Sequence, residues 1–162
     1  MRNNCGLSPL RDVHDYVFQE VQATADTFRT IMAARESHHR EFQILHIEDS
    51  SMDADLIQYA LARAALPVRI QVVTTKREFE KALEQEPPDL ILSDSCLPGF
   101  NGQEALAQAQ QKFPQVPFVF CSGYVSDERR EQALQRGAAD YLSKDDMPGL
   151  IARVRELLKI AQ

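Results

Sequence analysis

From residue 42 onward, apolar positions come in short runs separated by amphipathic stretches. Phe42 to Ile47, Leu90 to Ser93 and Val116 to Cys121 read as strands, the last two central because they are so uniformly apolar. Val68 to Val73 is different: Val68, Ile70 and Val72 alternate with Arg69 and Gln71, the pattern of a half-exposed edge strand. Ala139 to Leu142 is a short fifth strand. Helical stretches lie between and after them. One runs from about Met52 to Ala65 with Ser50 or Ser51 as cap; one from Thr75 to about Gln85, stopped near Pro87-Pro88; one from about Gly102 to Lys112. A fourth is capped by Ser126 and ended by Gly137, a suitable C′ residue. The fifth, about Met147 to Ile160, puts Leu150, Ile151, Val154, Leu157 and Leu158 on one face. Five strands alternating with five helices predict a doubly wound α/β fold with a five-stranded parallel sheet and right-handed crossovers. With the second and fifth strands at the edges, the order is 2-1-3-4-5, the flavodoxin-like arrangement.

Residues 1 to 41 carry no strand-like run. Leu10, Val13, Val17, Val21, Ala25, Phe28 and Met32 recur at spacings of three and four, one stripe of an amphipathic helix, with Ser8 as cap and Pro9 at its first position. The chain thus divides into a helical extension over 1–41 and a sheet domain over 42–162. A stripe this apolar is expected to dock on another surface, to pair with a second copy, or to be the remnant of an upstream domain.

Composition narrows the classes. No stretch approaches the ~20 apolar residues that span a bilayer, and no signal region follows the N-terminus, so no membrane insertion and a cytoplasmic location are expected. A net charge of −6 over 162 residues disfavours non-specific nucleic-acid binding. Cys5, Cys96 and Cys121 show no metal-binding spacing with one another or with His14, His38, His39 and His46. Their odd number suits a reducing compartment.

The chemistry gathers at predicted strand ends. Glu48 and Asp49 follow the first strand, Asp94 the third, Ser122 the fourth and Lys144 the fifth. A parallel sheet delivers all of these to its C-terminal edge, with Asp49 and Asp94 on either side of the switch point. Acids, a hydroxyl and a lysine there suit a Mg²⁺-assisted phosphoryl site with an aspartate as acceptor. A carboxylate attacks an anionic phosphoryl group poorly unless cations offset the repulsion, and oxygen ligands suit Mg²⁺. Three acids facing one lysine also repel one another, so the metal-free site is expected to be strained and to take a divalent cation readily. Taken singly the same residues are ordinary: Asp94 a turn former, Ser122 a turn residue, Lys144 a solvated loop lysine, Tyr141 a packed aromatic, Cys121 a small core residue.

Four segments in order resemble the receiver domain of bacterial two-component response regulators: Ile47-Glu48-Asp49-Ser50; Asp94 with Leu97-Pro98-Gly99 and Gly102; Phe120-Cys121-Ser122-Gly123; and Gly137 to Lys144. The resemblance spans about residues 42 to 160. It implies that Asp94 is phosphorylated, that Asp49 ligates Mg²⁺ directly, and that Glu48 acts mostly through water. The backbone carbonyl of Cys96 completes the protein's metal ligands. Ser122 and Lys144 hold the phosphoryl group, and Tyr141 turns inward as the switch aromatic when Ser122 moves. Cys96 and Tyr124 occupy places that tune dephosphorylation.

The resemblance further implies a histidine kinase or histidine phosphotransfer protein as donor. It implies output by protein contact through the fourth helix, fifth strand and fifth helix, and slow self-dephosphorylation rather than enzymatic turnover; with the fifth helix reaching nearly to Gln162, no DNA-binding module is expected within these residues. The cognate donor and downstream protein are unnamed by sequence. Departures are Glu48 for the usual aspartate, Asp145 where proline is frequent, Ser122 for threonine and Gly123 for alanine. Two other classes stay open: an unphosphorylated scaffold of the same fold, and an aspartyl-phosphate phosphatase. The latter pairs its nucleophile with an aspartate two residues on, where this chain has Cys96.

Overall fold

Register in a parallel sheet decides which side chains reach its functional edge, and here it is continuous. In the computed structural model, which describes residues 41–160, β1 (Phe42–Ile47) lies between β2 (Val68–Val73) and β3 (Leu90–Ser93). β3 pairs with β6 (Phe118–Ser122), and β6 with β7 (Asp140–Ser143). All four ladders are parallel and the order is β2-β1-β3-β6-β7. That is the expected 2-1-3-4-5 arrangement once a small hairpin, β4 (Cys96–Leu97) with β5 (Phe100–Asn101), is set aside. The helix expected over residues 10–32, its Ser8 and Pro9 signals, and the docking or dimerisation expected of it lie outside the described residues.

The helices follow their caps. Ser50 caps α1 (Ser51–Arg63), Thr75 caps α2 (Lys76–Leu83) in a reciprocal capping box with Glu78, and Asn101 caps α3 (Gly102–Lys112). Ser126 caps α4 (Asp127–Gln135) and Asp146 caps α5 (Met147–Leu157). Gly137 has φ 93°, as a left-handed C′ residue after α4 requires. Several boundaries depart from expectation by a residue or more. β6 begins at Phe118, not Val116, because Pro117 has no N–H for the ladder and contributes only its carbonyl, which accepts from Ile91 N at 3.0 Å. α1 ends at Arg63, with Ala65 in the left-handed region at φ 52°.

Alternate strand residues face two separate apolar layers. Ile44, Leu90, Leu92, Val119 and Cys121 pack with Ile57 and Leu61 of α1 and with Leu150 and Val154 of α5. On the opposite face Leu45, Ile47, Ile91, Phe118, Phe120 and Tyr141 meet Phe79 of α2, Leu106 of α3 and Ala133 of α4. Gly102 is the tightest joint in the second layer. A Cβ there would lie 2.9 Å from the Phe120 ring and 3.0 Å from the Asp94 carbonyl, so only glycine lets α3 start this close to the end of β3.

Phe120 is fully buried and contacts the rings of Phe118 and Tyr141 at 5.1 and 5.6 Å. Denaturant unfolding of Phe120→Ala should show a loss of about 3–5 kcal/mol. Leu134→Ala, on an exposed position, should stay within about 0.5 kcal/mol of the parent.

Candidate functional site

The ladders run one residue past the strands and thereby aim the site. Glu48 N donates to Val73 O at 3.0 Å, Asp94 N to Ile47 O at 2.9 Å and Lys144 N to Ser122 O at 2.9 Å. Glu48 and Asp94 are therefore held by backbone at the C-terminal edge, with Lys144 arriving from the far side. Glu48 is fully buried, Asp94 is buried and Asp49 is exposed. One carboxylate oxygen from each of the three falls within 4.8 Å of the others. Lys144 Nζ stands 2.7 Å from Glu48 Oε2, 2.7 Å from Asp53 Oδ2 and 3.6 Å from Asp94 Oδ2.

The hydroxyl side is joined to this cluster through Ser95. Ser95 N donates to Asp94 Oδ1 at 2.7 Å, while Ser95 Oγ lies 2.9 Å from Ser122 Oγ. Ser122 Oγ also accepts from Tyr124 N at 3.3 Å, and Tyr124 O accepts from Tyr141 OH at 3.4 Å. Tyr141 is 2% exposed, its ring against Phe120. Tyr124 is 64% exposed, with the Arg129 guanidinium 5.0 Å from its ring centroid. Cys96 opens the hairpin with its thiol exposed. The structure thus brings Glu48, Asp49, Asp94 and Lys144 into one cluster, ties Ser122 to it, and puts Tyr124 and Tyr141 in a chain of bonds leading away from Ser122.

Asp53 and Ser95 are members that sequence reading missed. Ser50 as N-cap puts Asp53 on the first turn of α1, with its N–H on Ser50 Oγ at 3.3 Å; that spacing was the available signal. Ser95 carried no signal beyond adjacency to Asp94. The turn after Lys144, which begins with Asp145, is held by hydrogen bonds. Asp145 N donates to Ser143 Oγ at 3.2 Å, Asp146 N to Ser143 O at 3.1 Å, and the Asp146 side chain accepts from Gly149 N at 2.9 Å.

Electrostatics follow from burial. Desolvation pushes Glu48 above the usual carboxylate range, against the pull of Lys144. Burial alone would lower Lys144, but hydrogen bonds to Asp53 and Glu48 and the charge of Asp94 hold it well above an ordinary lysine. Desolvation raises the Cys121 thiol to about 12, which keeps it an inert packing residue. His46 lies beneath the cluster, fully buried, with Nε2 3.8 Å from Glu48 Oε2 and neither ring nitrogen hydrogen-bonded. Desolvation and the nearby Lys144 lower its pKa to about 4. With four carboxylates around one ammonium, the cluster has negative charge to spare. Its donors toward a cation are all oxygens, the set that fits a hard, partly hydrated ion such as Mg²⁺.

Comparison with known proteins agrees with this architecture. Residues 44–155 match the response regulator receiver domain family. The chain is 33% identical over 117 residues to the response regulator protein PilR of Pseudomonas aeruginosa, covering 72% of this chain and 25% of PilR. It is 31% identical over 107 residues to the DNA-binding transcriptional regulator NtrC of Escherichia coli, covering 62% of this chain and 23% of NtrC. The chain therefore spans about a quarter of the length of these relatives. Among solved structures it superposes on a LuxO repressor receiver domain from Vibrio parahaemolyticus with TM-score 0.67 at 26% identity, covering 74% of this chain and 92% of that one. The receiver domain of Francisella response regulator 1452 gives 0.66 at 23%, over 74% and 98%. No helix among the described residues is long and apolar enough to cross a membrane.

The buried histidine makes stability depend on pH. Its folded pKa of about 4 lies below the ordinary histidine value of 6.5, so between these values the unfolded chain binds more protons and stability rises with pH. Metal-free protein should lose about 3 kcal/mol of this contribution as pH falls from 6.5 to 4. Thermal melts of His46→Phe over the same range should show a flatter profile than the parent; equal slopes would remove His46 as the cause.

Proposed function

Because the chain belongs to the response regulator receiver family, we propose that its sheet domain is a signalling switch set by phosphorylation of Asp94. The observation that supports this most is the convergence of Glu48, Asp49 and Asp94 around one cation-sized space, with Lys144 at 3.6 Å from the acceptor. The donor is the phosphohistidine of a histidine kinase or histidine phosphotransfer protein. An Asp94 oxygen attacks the phosphorus, the P–N bond breaks, and the imidazole leaves and takes up a proton. Asp49, Glu48, Asp94 and the Cys96 carbonyl would hold Mg²⁺, which supplies charge neutralisation for the phosphoryl oxygens. Lys144 pairs with one of those oxygens, and Ser122 turns its hydroxyl from Ser95 to donate to another.

The resting contacts supply a route for output. Ser122 Oγ accepts from the N–H of Tyr124, whose carbonyl accepts from Tyr141. A Ser122 that moves toward the phosphoryl group pulls residue 124, whose carbonyl holds the hydroxyl of the inward-facing Tyr141. Asp140, beside Tyr141 on β7, ion-pairs with Arg130 of α4 at 2.9 Å and Arg153 of α5 at 3.0 Å. A shift of β7 is thus felt on both flanking helices, and a partner protein reads that face as a population shift between two conformers.

Beryllofluoride with Mg²⁺ is the direct test, because it mimics the phosphoryl group on an aspartate. At about a hundredfold excess over Kd the parent should gain about 3 kcal/mol of stability, and Asp94→Asn none. A small-molecule phosphodonor should add one phosphoryl mass to the parent alone. No response in either protein would favour an unphosphorylated scaffold.

A further inference from the structure

We propose that Asp53 is a resting-state partner of Lys144 that competes with the phosphoryl group for the ammonium, and so sets how readily Asp94 is modified. The inference rests on Asp94 being the phosphoacceptor. Lys144 Nζ makes its two short contacts, both 2.7 Å, to Glu48 just after β1 and to Asp53 on α1. Its distance to Asp94 Oδ2, 3.6 Å, is beyond hydrogen-bond range. The lysine therefore leans toward α1 and away from the acceptor. It donates a hydrogen bond to Asp53 Oδ2 and ion-pairs with Glu48 Oε2 on that side.

Asp53 is well placed for this role and poorly placed for the cation. It sits on the first turn of a helix anchored by Ser50, so its reach to Lys144 comes from the rigid start of α1. It is absent from the group of oxygens that cluster closely enough to share an ion, which comprises Glu48, Asp49 and Asp94. Once a cation occupies Glu48, Asp53 is the carboxylate left holding Lys144. A phosphoryl group on Asp94 must draw the ammonium from it.

Removing the Asp53 charge acts with opposite sign on the two ligands. Toward the phosphoryl group it frees Lys144 and removes a nearby anion, so binding improves. Toward the bare cation it lowers the negative potential and lets Lys144 rest more fully on Glu48, so binding weakens. A residue that merely keeps the site in shape would weaken both when replaced.

The experiment uses the full chain as parent, Asp53→Asn and Asp53→Ala, with amide NMR spectra verifying that each is folded. Mg²⁺ alone is titrated first, then beryllofluoride at saturating Mg²⁺, each followed by the shifts of the site's amides. Both variants should bind beryllofluoride about threefold more tightly and Mg²⁺ about threefold more weakly, the size expected when a partly exposed ion pair is lost. Unchanged or weaker beryllofluoride binding in the variants, with the parent binding normally, overturns the competition alone. No beryllofluoride binding by the parent overturns the phosphoacceptor reading and the competition with it.

Discussion

The ammonium of Lys144 is the interaction on which the functional edge depends. Glu48 is buried at the end of an interior strand, where an ionised carboxylate is tolerated only if paired. Lys144 supplies that pairing at 2.7 Å and at the same time meets Asp53 and Asp94. One cation thus holds together three segments far apart in the chain. The arrangement stays negative even so, because Asp49 adds a further acid nearby. The oxygens of Glu48, Asp49 and Asp94 that face one another are the donor type that suits a hard divalent ion.

The sheet makes that geometry affordable by keeping the site out of the packing problem. Each strand sends alternate residues into two independent apolar layers, so the residues after the strand ends carry no share of the core. Glu48, Asp94 and Lys144 are nonetheless fixed, because each donates its own N–H to the neighbouring strand. Side chains placed by backbone ladders are more precisely held than side chains on free loops. Ser95, one residue beyond its ladder, is held instead by its N–H on Asp94 Oδ1 and its hydroxyl on Ser122 Oγ.

Strand identity and order were legible because apolar runs and the alternation in Val68–Val73 report burial directly, and burial follows strand position. The phosphoacceptor candidate, its acids and the lysine were legible for the same reason: a strand end in a parallel sheet is a place in space. The β4–β5 hairpin was not, since two-residue strands have no period to detect. Asp53 escaped because it lies on a helix, where the edge it reaches depends on the tilt of α1 over the sheet. His46 looked like one of several scattered histidines, and its complete burial beneath Glu48 depends on the packing of α1 and α5 above that layer. Tyr141 was readable as an aromatic on a short strand, but its bond to the Tyr124 carbonyl comes from a loop whose path no local pattern specifies.

The turn after Lys144 shows how local hydrogen bonds can fix a functional side chain. Lys144 must present its side chain inward while the chain turns immediately into α5. Ser143 serves the turn twice, its hydroxyl accepting from Asp145 N and its carbonyl from Asp146 N. Asp146 then caps the helix through Gly149 N. Lys144 is thereby held between a ladder bond to Ser122 on one side and a hydrogen-bonded turn on the other. A hydrogen-bonded turn yields more easily than a proline ring, so the lysine here has a firm root and a compliant exit. The same ladder bond ties the root of Lys144 to Ser122, so the ammonium and the hydroxyl share one backbone support.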